Sequence, residues 1–283
     1  MRLRSLLFVP ADRPERMVKA MQSQADGIVL DLEDSVAPEQ KVHARASLAM
    51  FLMSGQCTKP VFVRVNGLSS GWTEGDIGAF ATCPPDGLLL PKAAGRASVE
   101  QLDKLLNAYG LDKLPILPIA TETPAAVFEI GTYRDVASRL FALSWGVEDL
   151  SSAIGATMAR ESTGGFTPPY EVARALALFG AHAAGVQAIE TVYPDFRDLE
   201  GLARAAKRAA RDGFSGMLAI HPSQVSIIND AFAPSESELA HARAIVAAFA
   251  AHPGAGVLSL NGEMIDAPHA KLARRLLERA GIA

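Results

Sequence analysis

The chain has 283 residues, 49% of them apolar, enough for one large core or two modest ones. Its formal charge is −4 with no concentrated basic field, which argues against a nucleic-acid partner but leaves room for a small anionic substrate. Cys57 and Cys83, the two cysteines, form neither a CxxC nor a zinc pattern and read as reduced thiols. The N-terminal apolar run "SLLFVPA" is too short for a signal peptide, and no stretch approaches the roughly 18 apolar residues of a membrane span. A cytoplasmic protein off the membrane is expected.

Eight short β-rich runs follow in order: "SLLFVP" from 5, "GIVLDLE" from 27, "VFVRVN" from 61, "GLLLPK" from 87, "ILPIATE" from 116, "LFALSWG" from 140, "VQAIETVY" from 186 and "GMLAIHP" from 216. Helical periodicity fills several of the gaps, as in "PERMVKAMQSQ", "SVEQLDKLLNAY", "YEVARALALFGAHAA" and "DLEGLARAAKRAARDG". The strand runs are apolar nearly throughout, as they are when helices cover one face and side chains fill the other. Eight such alternations predict an α/β fold of the (β/α)8 TIM-barrel type. An open doubly wound sheet is the competing fold, but the first turn, "VPADRPER", has no glycine, and no GxGxxG or Walker sequence occurs. "ESTGGFTPPYE" is a loop by composition whose glycines could admit a ligand.

The pattern changes after Phe232, so the expected division is a catalytic barrel over 1–232 and a C-terminal extension over 233–283. The extension opens with a helix capped by Ser235 with Glu238 in its box. A hairpin follows in "GVLSLNGEMID", with Asn261-Gly262 at its turn, and then a terminal helix. It would serve as a lid or an intersubunit arm, or simply close the barrel bottom.

A barrel places its chemistry at the C-terminal strand ends. Those ends carry Asp31, Glu33 and Asp34, then Arg64, Lys92, Glu122, Glu148 and Asp149, Glu190 and Thr191, and His221. Carboxylates gathered in a partly dry cleft repel one another, and a divalent cation resolves the conflict. Glu122 and Asp149, on neighbouring strands with no His or Cys beside them, suit Mg2+, or Mn2+. Asp149 could instead cap the helix of "GVEDLSSAIG", and Glu122 could pair with Lys92. Arg64 lies on a strand and needs an anionic partner, either Asp31 or Glu33 or a substrate carboxylate gripped at two points. His221 is either a base or a satisfied histidine.

The stretches "RSLLFVPADRPERM", "GIVLDLEDSVAPEQKVHAR", "VFVRVNGLSSGW", "PIATETPAAV", "LSWGVEDLSSAIG", "GVQAIETVYPDFRDLEG", "GFSGMLAIHPSQVSIIN" and "GEMIDAPHAKLARRLL" cover almost the whole chain. Together they resemble the HpcH/HpaI aldolase superfamily, and within it the citrate lyase beta-subunit-like and malyl-CoA lyase-like proteins. The resemblance implies a TIM barrel that assembles as a trimer or larger. It places the two ligands of one Mg2+ on Glu122 and Asp149, a substrate-gripping arginine on Arg64, and Glu33 near metal-bound water. It puts Arg13, Lys41 and Arg45 where coenzyme A phosphates could be neutralised, and Asp266 on an arm reaching a neighbouring subunit's active site. The implied activity is carbon–carbon cleavage of a malyl-CoA, citramalyl-CoA or citryl-CoA type thioester, or the reverse condensation. Thioester hydrolysis, and action on a carrier-protein-bound citryl group as a citrate lyase beta subunit, are the alternatives.

Overall fold

The structure is a computed structural model that describes residues 3–161 and 164–282. Ser162 and Thr163, in the glycine-bearing loop noted above, lie outside the described residues. The first half of the chain runs β1 (Ser5–Pro10), α1 (Pro14–Met21), β2 (Gly27–Asp31), α2 (Lys41–Met53), β3 (Val61–Arg64), α3 (Thr73–Phe80), β4 (Gly87–Leu90) and α4 (Gly95–Ala108). It continues with β5 (Ile116–Pro118), α5 (Pro124–Glu129), β6 (Ala142–Ser144), α6 (Glu148–Ile154), α7 (Pro168–Ala183), β7 (Gln187–Glu190), α8 (Leu199–Asp212), β8 (Gly216–Ala219) and α9 (Pro222–Ala231). Beyond these come α10 (Glu236–Ala251), β9 (Val257–Leu260), β10 (Glu263–Asp266) and α11 (Ala267–Arg279).

The first eight strands pair in parallel in the order β5-β4-β3-β2-β1-β8-β7-β6. The two ends of that order meet. Isolated parallel bridges join Ile116 to Leu140 and Ile119 to Ser144, and the Ala120 N–H donates to the Ser144 carbonyl at 2.9 Å. The sheet is therefore a closed (β/α)8 TIM barrel, as the eight alternations predict.

Each strand gives one inward side chain to a shared core: Leu6, Val29, Phe62, Leu89, Leu117, Ala142, Ile189 and Leu218. Their strand neighbours Ile28, Leu30, Leu88 and Leu90 are fully buried as well. Burial on both faces explains why these runs show no polar alternation. The strand ladders are short, three to six residues. β2 and β3 end on Asp31 and Arg64 themselves, whereas β4, β5 and β6 stop before Lys92, Glu122 and Asp149, which stand past the strand ends.

By contact density the chain divides into Leu3–Asp230 and a second compact unit from Ala231 onward. The second unit has its own core, in which Leu239, Ile245, Ile265 and Leu277 are buried. Ser235 and Glu238 form the capping box of α10. β9 and β10 form the antiparallel hairpin, and both turn residues, Asn261 (φ 51°) and Gly262 (φ 85°), are left-handed as a two-residue turn requires. Asp266 caps α11, accepting from the His269 N–H at 3.3 Å and lying 2.5 Å from His269 Nδ1. No helix among the described residues is long and apolar enough to cross a membrane.

Candidate active site

Asp31 ends β2 and Arg64 ends β3, in register across the pair. Arg64 donates Nε and Nη2 to the two oxygens of Asp31, each at 2.6 Å, and its guanidinium lies over the Phe8 ring, 4.7 Å from the centroid. Asp31 also accepts from the backbone N–H groups of Glu33 and Ser35. Burial works against the Asp31 carboxylate, but Arg64 outweighs it and holds the group below the usual carboxylate range. The fork of Arg64 is thereby fixed, with Nη1 left facing Glu33 Oε2 at 3.1 Å. Of the partners open to Arg64 from the sequence, Asp31 is the one the structure shows gripped at two points.

Glu33 is 5% exposed. Its Oε1 accepts from the Lys92 ammonium at 2.5 Å, while Oε2 has no well-aligned hydrogen bond despite the nearby Arg64. Lys92 follows β4 and extends its ammonium to Asp149 at 3.4 Å and Asp34 at 3.7 Å. Burial opposes the ammonium, and the hydrogen bond and charge of Glu33 overcome it, raising Lys92 above the ordinary lysine range.

Glu122 lies past β5, 5% exposed, on the turn before Thr123, whose hydroxyl caps α5 by accepting from the Ala126 N–H at 3.2 Å. One Glu122 oxygen accepts a short hydrogen bond from the Lys92 backbone N–H. It thus meets Lys92 through the main chain, not through the ammonium. Burial, reinforced by Glu33 and Asp149, outweighs the Lys92 contacts and pushes Glu122 up to about 8. Asp149 sits in the first turn of α6 and is half-exposed. The N-cap of α6 is Val147, with no side-chain cap, so capping is not the role Asp149 takes.

Two residues outside the list of polar strand ends shape this corner. The Thr121 hydroxyl donates to the Gly146 carbonyl at 3.0 Å and accepts from the Gly146 N–H at 3.1 Å, extending the β5–β6 contact to the rim. A Cβ on Gly146 would stand 2.6 Å from Glu122 Cγ, so only glycine leaves Glu122 its place. "TE" next to a strand end and "WG" opposite it were the available signals.

Other polar strand ends lie elsewhere. Glu190 turns outward, accepting from the Trp145 indole at 2.5 Å and from Arg174 Nε at 2.7 Å. His221 is exposed, stacked on Phe196 at 4.8 Å, with Nδ1 at 2.8 Å from the Ser223 hydroxyl. Lys41 places its ammonium on the carbonyls of Leu32 and Glu33 at 2.7 and 2.6 Å. Arg45 pairs with Asp76 at 2.8 Å and reaches the Trp72 carbonyl. The Arg13 side chain is 57% exposed. Asp266 belongs to the second compact unit.

No group of three His, Cys, Asp or Glu side chains forms a cage among the described residues. The donor set nonetheless fits a hard divalent cation: two oxygen donors, Glu122 and Asp149, with an ammonium already between the surrounding carboxylates. Mg2+ takes few protein ligands and completes its octahedron with water and substrate.

A parallel barrel with this polar rim defines a TIM-barrel enzyme. Residues 4–222 match the family model described as HpcH/HpaI aldolase/citrate lyase. The chain is 35% identical to a citrate lyase subunit beta-like protein of Mycobacterium tuberculosis, over 98% of this chain and 95% of that protein. It is 31% identical to a (3S)-malyl-CoA thioesterase of Cereibacter sphaeroides, covering 98% and 94%. A citramalyl-CoA lyase of Rattus norvegicus is 32% identical, covering 98% and 86%. Among solved structures, CitE from Mycobacterium tuberculosis in complex with magnesium, acetoacetate and coenzyme A superposes with a TM-score of 0.82 at 32% identity, covering 99% of this chain and 98% of that one. The chain belongs to the HpcH/HpaI aldolase/citrate lyase family.

Proposed function

We propose that this chain is a Mg2+-dependent carbon–carbon lyase that cleaves a 3-hydroxy-dicarboxylyl-CoA thioester to a 2-oxo acid and acetyl-CoA, or runs the reverse condensation. The observation that carries this reading is the meeting of Glu122, Asp149, Lys92, Glu33 and the Asp31-clamped Arg64 at one rim. The magnesium and coenzyme A in the CitE complex support it.

Glu122 and Asp149 would hold the metal, which when bound polarises the substrate oxygen and stabilises charge developing there. Arg64, fixed by Asp31, offers its Nη1 edge to the oxygens of the incipient oxo acid. Glu33 holds Lys92 and faces Arg64, so it tunes both cations around the oxo-acid position. In cleavage the bond between the thioester α-carbon and the hydroxyl-bearing carbon breaks. The hydroxyl carbon becomes the oxo-acid carbonyl, and the bonding pair remains as a thioester enolate. Asp266 of the partner subunit supplies the proton that turns the enolate into acetyl-CoA. The substrate hydroxyl loses its proton to solvent water and Asp266 regains one from solvent after each donation, so the cleavage is proton-neutral overall. In condensation Asp266 removes the α-proton.

A groove of about 550 Å³ is lined by Phe8, Arg16, Lys19, Ile220 and His221, and its basic residues suit the phosphates of a coenzyme A thioester. Phe8 belongs both to this groove and to the floor beneath Arg64. Of the three basic residues implied for coenzyme A, Arg13 has an exposed side chain just before α1, and Arg16 and Lys19 on α1 extend the field.

A second reading, hydrolysis of the thioester, is favoured by the name of the Cereibacter relative. The test is a Mg2+-dependent assay on malyl-CoA, citramalyl-CoA and citryl-CoA, with oxo acid, acetyl-CoA and free CoA quantified separately. Oxo acid matched by acetyl-CoA is the expected result. Free CoA without oxo acid would mean a thioesterase, and turnover only with a carrier-bound acyl group would mean a citrate lyase beta subunit.

A further inference from the structure

Lys92 is the described non-glycine residue of the barrel unit with a left-handed backbone, φ 53°. That conformation is strained for an L-residue with a side chain, and glycine would relieve it. The chain keeps a lysine there. The turn directs the Lys92 N–H at Glu122 and the ammonium at Glu33, Asp149 and Asp34. One residue thus touches both candidate metal ligands, one through the main chain and one through the side chain. The other rim cation cannot replace it, because Arg64 is clamped by Asp31.

We infer that Lys92 is a positioning residue that serves as the internal counter-ion of this rim, holding Asp149 and Glu33 together until a divalent cation arrives and then yielding Asp149 to it. The inference rests on the assignment of Glu122 and Asp149 as metal ligands. Two consequences follow from electrostatics. The ammonium keeps the carboxylates from splaying apart in the metal-free protein. It also competes with the incoming ion, so the chain binds its metal less tightly than its carboxylates alone would allow. Weak retention suits a site whose cation must accept substrate oxygens in place of water. Lys92 therefore sets how readily the site fills and empties.

The experiment is isothermal titration of Mg2+ and Mn2+ into the metal-free full chain, wild type beside Lys92→Met and Lys92→Gly. Methionine keeps the apolar stem and removes the charge. Glycine keeps the N–H to Glu122 and relieves the backbone. Both variants should bind the cation tighter by about tenfold, because the competing charge is gone. Thermal unfolding checks that each is folded. A merely structural lysine moves affinity the other way when lost, since a collapsed site binds weakly. Unchanged or weaker binding in both folded variants, beside a wild type that binds, overturns the role of Lys92. Absence of binding in all three proteins removes the metal assignment of Glu122 and Asp149 along with it.

Discussion

At the scale of single residues, Glu122 couples protonation to metal binding. Its carboxyl is raised from 4.5 to about 8 by burial. Between those values the unfolded chain gives up this proton before the folded one does. The contribution of Glu122 to stability therefore declines as pH rises from 4.5 to about 8 and is level above that. A cation must expel the proton, so at pH 7 binding should release about one proton from this group. Titrations in two buffers of different ionisation enthalpy measure it; identical heats in both would contradict the ligand role of Glu122. Gly146 gives a second prediction. Gly146→Ala puts a methyl 2.6 Å from Glu122 Cγ and should lower cation affinity about tenfold or more, with the fold kept. Wild-type affinity in that variant would show that Glu122 moves aside without cost.

At the scale of elements, the eight strand runs were legible in the sequence because a barrel strand is apolar on both faces and stands out as a short continuous run. Their C-terminal limits were not. The run "ILPIATE" is uniform in character until its threonine, yet the ladder stops at Pro118. Where a strand stops pairing depends on its neighbours' register, which one segment does not carry. The carboxylates Asp31, Glu33, Glu122 and Asp149 were legible as polar residues after apolar runs, but Glu190 carried the same signal and faces the helices. Periodicity shows that a face alternates, not which face is inside. The pairing of Lys92 with three acidic side chains depends on its left-handed turn, for which "LPKA" gives no glycine cue. Element α11 yields a clean test of Asp266. Asparagine caps a helix about as well as aspartate, whereas alanine costs on the order of 1 kcal/mol. Asp266→Asn should keep the melting temperature and lose most lyase turnover, and Asp266→Ala should lose both. A fully active Asp266→Asn protein would show that Asp266 only caps the helix.

At the scale of the whole molecule, the proposed proton donor requires an assembly. Light scattering should give about three times the 29.9 kDa chain mass at working concentration. A strict monomer with full turnover would eliminate donation from the partner subunit. The barrel itself has a seam. Seven of its joints are laddered strand pairs, and the eighth, between β5 and β6, consists of isolated bridges and the hydroxyl of Thr121. Glu122 stands at one lip of that joint and Asp149 at the other, each just past its strand. An ion shared by the two would act as the clasp on a hoop, fastening the ring where its own backbone holds it least. Amide exchange at Ala120 and Phe141, whose N–H groups cross the seam, should slow when the cation is added, while amides within β2 stay as they were. The ion would then help to keep the cylinder round as well as to activate what enters it.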